Sequence, residues 1–387
     1  MKKLKLIRLT TASLSLNYLL SNQLSYINQF FDVLCISSQG KDLEIVKHRE
    51  GVKIKAIQME REIAFIKDLV SLGKLLLLFI KQRPAIVHSN TPKASLLSMI
   101  AARLTGVPVR IYTVTGLRLE TQTGFKRSLL INMERLACAC ATHIVAESKG
   151  VKHLLQKFVI AKKNIYIIAN GTLNGIDEEY WCKQKVSLHD KEKLYKSLSL
   201  SDENPIVLFV GRLVVDKGVN ELVEAFINLY KEDSTLRLLL VGATEKHGNS
   251  LSHKTLDIIS QHPGIISTGF QKDVRLFMSI SHLLVLPSYR EGFPNVVLQA
   301  GAMELPVVST NVNGAVEVID GKNGTIVKKK IVSDLEKAIA DIVYKKKSID
   351  EKYCRQVIID KYSQQKLFPE VLNFYHIALS EAKVKDF

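Results

Sequence analysis

The chain has 387 residues, and its hydrophobic fraction of 47% supplies enough apolar surface for about two domains. No apolar run reaches the length of about 20 residues that a bilayer-spanning helix requires. Residues 1–10 carry positive charge but too short an apolar segment for a signal peptide, so a first β-strand is predicted there. These features favour a cytoplasmic protein.

The net charge of +16 is concentrated in the first half of the chain. Residues 1–180 contain 26 basic and 13 acidic side chains, whereas residues 181–387 contain 28 and 25. A basic face fits an anionic membrane or nucleic acid, or it is the solvated surface of an enzyme. Aromatic residues make up only 7% and no basic cluster is interleaved with them, which argues against nucleic acid. Five scattered cysteines indicate neither a disulfide framework nor a zinc site.

Apolar runs alternate with amphipathic segments through the first half of the chain. The predicted strands are Leu4–Leu9, Phe31–Ser37, Val52–Ile57, Ala85–His88, Arg110–Thr113, His143–Ala146 and Asn164–Ile168. The predicted helices cover residues 15–29, 63–82, 93–105, 125–141 and 148–158. Strands that alternate with helices predict a parallel sheet.

The same alternation resumes after residue 204. The predicted strands are Pro205–Val210, Leu236–Val241, Ile265–Thr268, Leu283–Pro287, Pro306–Ser309 and Gly324–Val327. The polar, weakly periodic segment Lys183–Asn204 sets the predicted boundary between domains 1–182 and 183–387. The C-terminal helix, 364–387, is amphipathic and able to pack back on the first domain. The predicted fold is α/β, with two Rossmann-like domains whose parallel sheets face a central cleft.

One basic turn follows the first strand of the second domain. A buried strand ends at Gly211, Arg212 projects from its end, and Lys217 precedes a helix that is predicted to begin near Gly218. A guanidinium and an ammonium that converge on a helix N-terminus suit a diphosphate. Taken alone, the same residues are also compatible with a basic loop that binds no ligand.

A second turn supports the ligand-binding interpretation. Glu291 and Gly292 follow the strand 283–287, Phe293 and Pro294 come next, and a helix is predicted from residue 296. Gly292 allows close approach of backbone N–H groups, and Pro294 suits the first helical position. A third polar turn, 311–314, follows the next strand. In parallel sheets such turns gather at one edge, where α/β proteins bind their ligands.

The chain resembles retaining glycosyltransferases of family 4, which have the GT-B fold, over essentially its whole length and most specifically in its second half. The motifs are G-R-L-x-x-x-K-G at 211–218 and S-x-x-E-G-F-P-N at 288–295. The resemblance implies metal-independent transfer of a hexosyl or N-acetylhexosaminyl group from a nucleotide-diphosphate sugar, a co-substrate rather than a cofactor. It implies that Arg212 and Lys217 stabilise the leaving diphosphate and that Glu291 holds the sugar. The implied donor-binding set is Gly211, Arg212, Lys217, Glu291, Gly292, Phe293, Pro294, Asn295 and Gln299.

Gln299 departs from the family pattern, in which a second glutamate follows the first after seven residues. The resemblance implies that the residue at 299 bonds the nucleotide ribose. A carboxylate accepts charge-assisted hydrogen bonds of about 1.5–3 kcal/mol, and a neutral amide makes bonds of about 0.5–1.5 kcal/mol. We therefore expect weaker donor binding rather than loss of turnover.

Polar residues also follow the strands of the first half and are interpreted as the acceptor side. This candidate set is Ser13, His88, Thr91, Lys93, Thr115, Gly116 and Arg118. Three of them have a structural alternative: His88 as a satisfied core histidine, Arg118 as the partner of Glu120 or Glu134, and Ser13 as a cap. The stretch Leu69–Arg83 fits either a membrane-docking surface or a core helix, and we expect the core helix.

The H-S-x-T-P-K-A segment at 88–94 resembles the bacterial subgroup of the family that builds capsule and lipopolysaccharide. That resemblance implies a glycan or polyprenyl-diphosphate-linked acceptor, a UDP-linked donor and a peripheral location on the cytoplasmic face of the inner membrane. No metal and no nucleic-acid partner are expected. The alternatives are a nucleotide-sugar epimerase or phosphorylase of the same fold, and a non-enzymatic basic protein that binds membrane or nucleic acid.

Overall fold

The computed structural model describes residues 3–60, 62, 64–158, 160–161, 163–245 and 249–384. The chain divides into two compact units. The first unit comprises Met1–Asn174 together with Gln364–Phe387, and the second comprises Gly175–Ser363. The chain thus leaves the first unit at residue 174, eight residues before the predicted boundary, and returns to it with its last helix.

The first unit is built on a sheet of seven parallel strands in the order β3-β2-β1-β4-β5-β6-β7. The strands are β1 Lys5–Leu9, β2 Asp32–Ser37, β3 Lys53–Ala56, β4 Ile86–Ser89, β5 Val109–Val114, β6 His143–Ala146 and β7 Ile165–Tyr166. The helices are α1 Ser13–Leu19, α2 Gln23–Asn28, α3 Asp42–Glu50, α4 Phe65–Gln82, α5 Pro92–Leu104, α6 Gly124–Cys140, α7 Lys149–Lys157 and, at the C-terminus, α16 Gln364–Glu381. One apolar core lies between the sheet and α4–α7, and the other lies between the sheet and α1–α3 with α16.

The second unit is built on six parallel strands in the order β10-β9-β8-β11-β12-β13. The strands are β8 Ile206–Val210, β9 Arg237–Val241, β10 Ile265–Gly269, β11 Leu283–Leu286, β12 Val307–Thr310 and β13 Gly324–Val327. The helices are α8 Leu188–Ser197, α9 Val219–Glu232, α10 His253–Gln261, α11 Arg275–Ile280, α12 Asn295–Ala302, α13 Ala315–Val318, α14 Val332–Val343 and α15 Glu351–Tyr362. Two apolar cores, one on each face of the sheet, complete the α/β layers.

The predicted strands are all present, with ends shifted by at most two residues. The predicted helix 15–29 is wrong as a single element, because Asn22 adopts a left-handed conformation at φ 66° between α1 and α2. The buried Glu50 carboxylate accepts the N–H groups of Asn22 and Ser25 there. Helix α3 was not predicted, since its nine residues are mostly charged and only Leu43 and Val46 supply apolar core contacts.

The segment 183–204, at which the boundary was predicted, lies within the second unit. It contains a short 3₁₀ turn at Lys183–Lys185 and helix α8, and Leu194 and Leu198 pack against the core of the second unit. Helix α8 was not predicted, because the segment is polar and none of the helix residues is fully buried. Within the part of the chain that the structure describes, no helix is both long and apolar enough to cross a membrane.

Candidate functional site

The predicted turns of the second unit follow neighbouring central strands. Strands β8, β11 and β12 are adjacent and parallel, so the loops that follow them leave the same edge of the sheet. The strand order also reverses between β8 and β11, which is the position where open α/β sheets bind ligands. We call this edge the donor edge and define it by residues 211–218, 287–295 and 311–314.

Gly218 allows the first two of these loops to touch. It adopts φ 69°, and a Cβ at this position would lie 2.1 Å from the carbonyl oxygen of Pro287. The backbone N–H of Tyr289 donates to the carbonyl of Asp216 at 2.8 Å. As a result, Lys217 Nζ lies 2.5 Å from Glu291 Oε1, and both side chains are largely buried.

The third loop supports Glu291 from the other side. Gly314 adopts φ 72°, and a Cβ there would approach the Cα of Phe293 to 2.7 Å. The side-chain amide of Asn313 donates to the carbonyl oxygen of Glu291 at 3.2 Å. Glu291 is therefore held by two neighbouring loops and by its ion pair with Lys217.

Arg212 occupies the more open part of the donor edge. Gly211 ends β8 with a backbone hydrogen bond to Val241, and Arg212 follows with its side chain 44% exposed. Its guanidinium donates to Glu245 Oε1 at 2.5 Å. Each predicted cation thus faces a carboxylate, and a guanidinium retains further N–H groups for a diphosphate.

The segment that precedes α12 is buried. Gly292, Phe293 and Pro294 are buried, and the ring of Phe293 packs on that of Tyr362 with 5.5 Å between centroids. The prediction that Pro294 is the first helical residue is wrong by one position, because Pro294 is the extended N-cap and Asn295 begins the helix. Pro294 has no side chain that could cap this turn, whose Val297 N–H donates to the Pro294 carbonyl at 3.0 Å, and the N–H groups that precede it are the ones a helix N-terminus can offer to an anion.

Asn295 and Gln299 lie one turn apart on the same face of α12. The Oδ1 atom of Asn295 is buried and has no hydrogen-bond partner among the described residues. The Gln299 side chain is half-buried. This spacing fits a helix face that contacts a ligand, although the role of Gln299 in ribose binding stays a prediction.

Residues predicted as the acceptor side tie loops of the first unit together. Thr11 bonds Thr91 through both its N–H and its hydroxyl, each at 2.8 Å, and the N–H of Ala94 donates to Thr11. The Thr115 hydroxyl donates to the carbonyl of Asn90 at 3.1 Å, and Gly116 follows with φ 109°. Ser13 is buried at the start of α1. These contacts order the loops after β1, β4 and β5.

His88 lies inside the first unit. Its Nε2 donates to Thr113 Oγ1 at 2.7 Å, while Nδ1 faces Arg8 and the hydroxyl of Tyr375. Burial, together with the nearby Arg8 charge, holds the pKa of His88 well below its usual value. The imidazole is therefore neutral and only 2% exposed, which fits the structural alternative raised from the sequence.

Two of the acceptor candidates, Lys93 and Arg118, line a pocket together with Lys126. Lys93 pairs with Asp68, and Arg118 pairs with Glu62 at 3.2 Å rather than with Glu120 or Glu134. Apolar residues form the pocket walls: Leu96, Leu119, Leu130, Met133 and Ala137.

The carboxylate of Glu134 also lines this pocket. It accepts the Tyr112 hydroxyl at 2.6 Å, and burial raises the pKa of Glu134 to about 7 although this hydrogen bond acts in the opposite direction. The pocket thus combines basic side chains, apolar walls and a carboxyl group, that of Glu134, whose pKa is raised.

Sequence reasoning missed several partners of the predicted residues. Glu245 was detectable, because it follows β9 at the edge that Arg212 occupies. Tyr375 was not detectable, because its partner Arg8 lies on β1, at the other end of the chain. Among the described residues, no group of three or more His, Cys, Asp or Glu side chains is arranged to hold a metal ion.

The two parallel α/β sheets and the charged donor edge define a glycosyltransferase of the GT-B fold. The "Glycosyltransferase Family 4" sequence pattern matches residues 22–172, and the "Glycosyl transferases group 1" pattern matches residues 204–344. The chain belongs to this family of glycosyltransferases. The resemblance inferred from the two motifs and the predicted fold class are confirmed, and the membership favours transfer over the epimerase and binding-protein alternatives.

Individual relatives extend this result. The capsular polysaccharide biosynthesis glycosyltransferase CapM of Staphylococcus aureus is 37% identical over the whole of both chains. The UDP-Gal:alpha-D-GlcNAc-diphosphoundecaprenol alpha-1,3-galactosyltransferase of Escherichia coli is 26% identical over 81% of both chains. The Anabaena HepE structure in complex with UDP and glucose has a TM-score of 0.77 at 16% identity and covers 96% of this chain and 99% of its own, which shows the fold.

Proposed function

We propose that this protein is a retaining glycosyltransferase that moves a hexosyl or N-acetylhexosaminyl group from a UDP-linked sugar to a lipid-linked acceptor in surface polysaccharide synthesis. The observation that carries the proposal is the convergence of Lys217 and Glu291 at 2.5 Å, with Arg212 on the same edge. The names of the Staphylococcus and Escherichia relatives and the UDP in the Anabaena structure support the substrate classes.

The chemistry assigned to the donor edge is mainly electrostatic. The bond from the anomeric carbon to the diphosphate oxygen breaks, and a bond to the acceptor oxygen forms on the same face of the sugar. The acceptor proton passes to the departing phosphate. Arg212, Lys217 and the first turn of α12 offset the negative charge that grows on the leaving group, without a metal ion in the proposal.

Glu291 has a separate role in this proposal. A carboxylate has two oxygens that accept hydrogen bonds from neutral sugar hydroxyls, and Lys217 pairs with only the Oε1 atom of Glu291. The ion pair with Lys217 fixes the orientation of the Glu291 carboxylate. Glu291 then positions the sugar, and the adjacent Lys217 positions the diphosphate. Loss of Glu291 would therefore misplace the anomeric carbon.

The acceptor is assigned to the first unit. The cations Lys93, Arg118 and Lys126 fit the diphosphate of a polyprenyl-linked glycan, and the apolar walls of the same pocket fit the adjoining lipid. Such an acceptor places the protein at the cytoplasmic face of the inner membrane.

Thermal unfolding with a panel of nucleotide sugars tests the proposal. A ligand at a hundred times its dissociation constant stabilises the folded state by about 2.7 kcal/mol, so a UDP-sugar that binds will raise the Tm. Lys217→Met should abolish the shift, and the exposed control Lys231→Met on α9 should retain it. If no nucleotide shifts the wild-type Tm, the donor assignment is wrong.

A transfer assay with the UDP-sugar that gives the largest shift tests the stereochemistry. Proton NMR of the product before mutarotation should show the anomeric configuration of the donor. An inverted product would contradict the retaining mechanism while leaving the donor site intact.

A further inference from the structure

Helix α4 has one side in the core and one side in solvent. Ser71, Leu75 and Phe79 are buried against the sheet, and the Ser71 hydroxyl donates to the carbonyls of Gln58 and Lys67. The helix packs along α5 on the sheet face that α5–α7 also cover. The core-helix prediction for Leu69–Arg83 is therefore correct for one face only.

The solvent-facing side of α4 is apolar along the whole helix. Six large apolar side chains are between 53% and 80% exposed. At 100° per residue they fall within a single arc of about 140°. This α4 apolar face consists of Phe65, Ile66, Leu69, Val70, Leu77 and Ile80. A soluble surface helix is usually polar on this side, and a continuous exposed apolar patch marks an interaction site.

Three lysines border this face. Lys67, Lys74 and Lys81 are exposed and spaced seven residues apart, which places them along one edge of the apolar arc. Lys67 also pairs with Glu60 at 2.9 Å. The basic edge agrees with the excess of positive charge in residues 1–180.

We propose that the α4 apolar face inserts into the interfacial region of an anionic lipid bilayer, with Lys74 and Lys81 on the headgroups. A helix with an apolar face and a lysine edge lies in the membrane surface, where long basic side chains reach the anionic lipids. The lysine edge favours an anionic surface over a second copy of this chain, whose own lysine edge would carry the same charge.

This contact deepens the proposed function, which requires a lipid-linked acceptor. Asp68 on α4 pairs with Lys93 at the start of α5, and Lys93 lines the basic pocket. The ion pair therefore fixes the membrane-facing helix to the pocket assigned to the acceptor. A bilayer bound on α4 would bring the lipid carrier to the same edge of the first unit.

Vesicle flotation tests the contact without any donor or acceptor. Wild-type protein should float with vesicles of equal parts phosphatidylglycerol and phosphatidylcholine. The triple variant Ile66→Ser, Leu69→Ser, Leu77→Ser should lower the partition coefficient by at least about tenfold, because it removes apolar side chains from the lipid. The matched triple variant of exposed residues outside the α4 face should change it by less than about twofold: Leu188→Ser, Ile331→Ser and Ile377→Ser.

Charge reversal separates the electrostatic part of the contact. Lys74→Glu with Lys81→Glu should lower partitioning onto the phosphatidylglycerol vesicles by more than about tenfold and leave the weak binding to pure phosphatidylcholine unchanged. Absence of wild-type flotation, or full flotation of the serine triple variant, would overturn the proposal. A dimer that the serine triple variant dissociates, without any flotation, would assign the face to a second copy.

Failure of the membrane-contact proposal can be distinguished from failure of the proposed function. The serine triple variant should keep the UDP-sugar Tm shift of the wild type, because α4 belongs to the first unit and the donor edge to the second. A missing Tm shift in wild-type protein refutes the donor assignment whatever the vesicles show.

Discussion

The two units carry polar residues after their parallel strands, but they use them differently. In the second unit Arg212, Lys217 and Glu291 form ion pairs that remain partly open to solvent. In the first unit His88 is only 2% exposed and Thr91 bonds a neighbouring loop. One edge therefore presents charged groups that can exchange partners, whereas the other edge mostly satisfies its own polar groups.

The difference shows what a polar residue at a strand end can signify. A small hydroxyl or imidazole can be satisfied by the next loop, because its hydrogen-bond demand is small. A charged group at the same position can make further hydrogen bonds when it has a single partner, and these hydrogen bonds are available to a ligand. Charge at a strand end therefore indicates a binding site better than polarity alone.

Replacement of Glu291 should give the largest effect at the donor edge. We expect Glu291→Ala to lower turnover by at least about a thousandfold, because both the sugar contact and the position of Lys217 are lost. Steady-state transfer with the UDP-sugar that shifts the Tm measures this. Glu203→Ala, on an exposed turn of the same unit, serves as the control and should stay near wild type.

Removal of one donor-edge cation should cost somewhat less. Lys217→Met or Arg212→Met should lower turnover by about a hundred- to a thousandfold, since each removes one charge that stabilises the leaving diphosphate. Turnover of each variant is compared with that of Lys231→Met. An Arg212→Met enzyme with unchanged turnover would mean that Arg212 serves only Glu245.

The His88 network should show its importance in stability rather than in donor binding. His88→Ala should lower the free energy of unfolding by about 2–4 kcal/mol, because it opens a cavity and removes a partner of the buried Arg8 and Thr113. Urea unfolding measures this loss, while the UDP-sugar Tm shift should persist. Loss of the shift at normal stability would instead connect His88 with the donor edge.

The depressed pKa of His88 adds a pH signature to that experiment. The unfolded imidazole takes up a proton below its usual pKa of 6.5, whereas the folded one does not. Wild-type stability should therefore fall as the pH drops below about 6.5, and the part of this slope due to His88 should be missing in His88→Ala.

Glu134 should contribute a pH dependence of stability with the opposite sign to that of His88. Its folded pKa of about 7 lies above the usual 4.5, so the folded state retains a proton through this window that the unfolded state has released. Stability therefore falls as the pH rises from 4.5 to 7. Glu134→Gln keeps an acceptor for Tyr112 and should be more stable than wild type at pH 8 by up to about 3 kcal/mol, since the folded and unfolded pKa values differ by about 2.5 units at 1.4 kcal/mol per unit. Equal stability of the two proteins at pH 8 would show that the pocket hydrates this carboxylate.

The strands and the donor edge could be predicted because their signals are local. Apolar runs such as Ile206–Val210 and turn residues such as Gly218 determine structure within a few residues. The His88 network could not be predicted, because Arg8 and Tyr375 meet it only after β1 and α16 have packed. Helix α3 was missed for a related reason, since its few core contacts are made with other elements of the fold.

The exposed side of α4 shows a further limit of sequence reasoning. The apolar pattern of Leu69–Arg83 predicted a buried helix, and nothing local marks which side remains uncovered. Only the position of the helix in its layer shows that Leu69 and Leu77 face outward while Leu75 faces the sheet. Tertiary placement therefore decides between the two interpretations of the same residues.

Gln299→Glu should give the smallest effect. It tests whether charge, rather than polarity alone, strengthens ligand binding at the donor edge. If the donor edge is defined by charged groups that keep hydrogen-bonding capacity, a carboxylate beside Asn295 should tighten binding of the nucleotide. We expect donor KM to fall and turnover to stay within about tenfold of wild type, because ribose hydroxyls gain roughly 1 kcal/mol from a charged acceptor. Gln299→Ala should raise KM, and both variants should retain the wild-type Tm without donor. If Glu291→Ala and Gln299→Ala instead cause equally mild losses of activity, Glu291 does not make the sugar contact and the roles assigned to Glu291 and Gln299 are wrong.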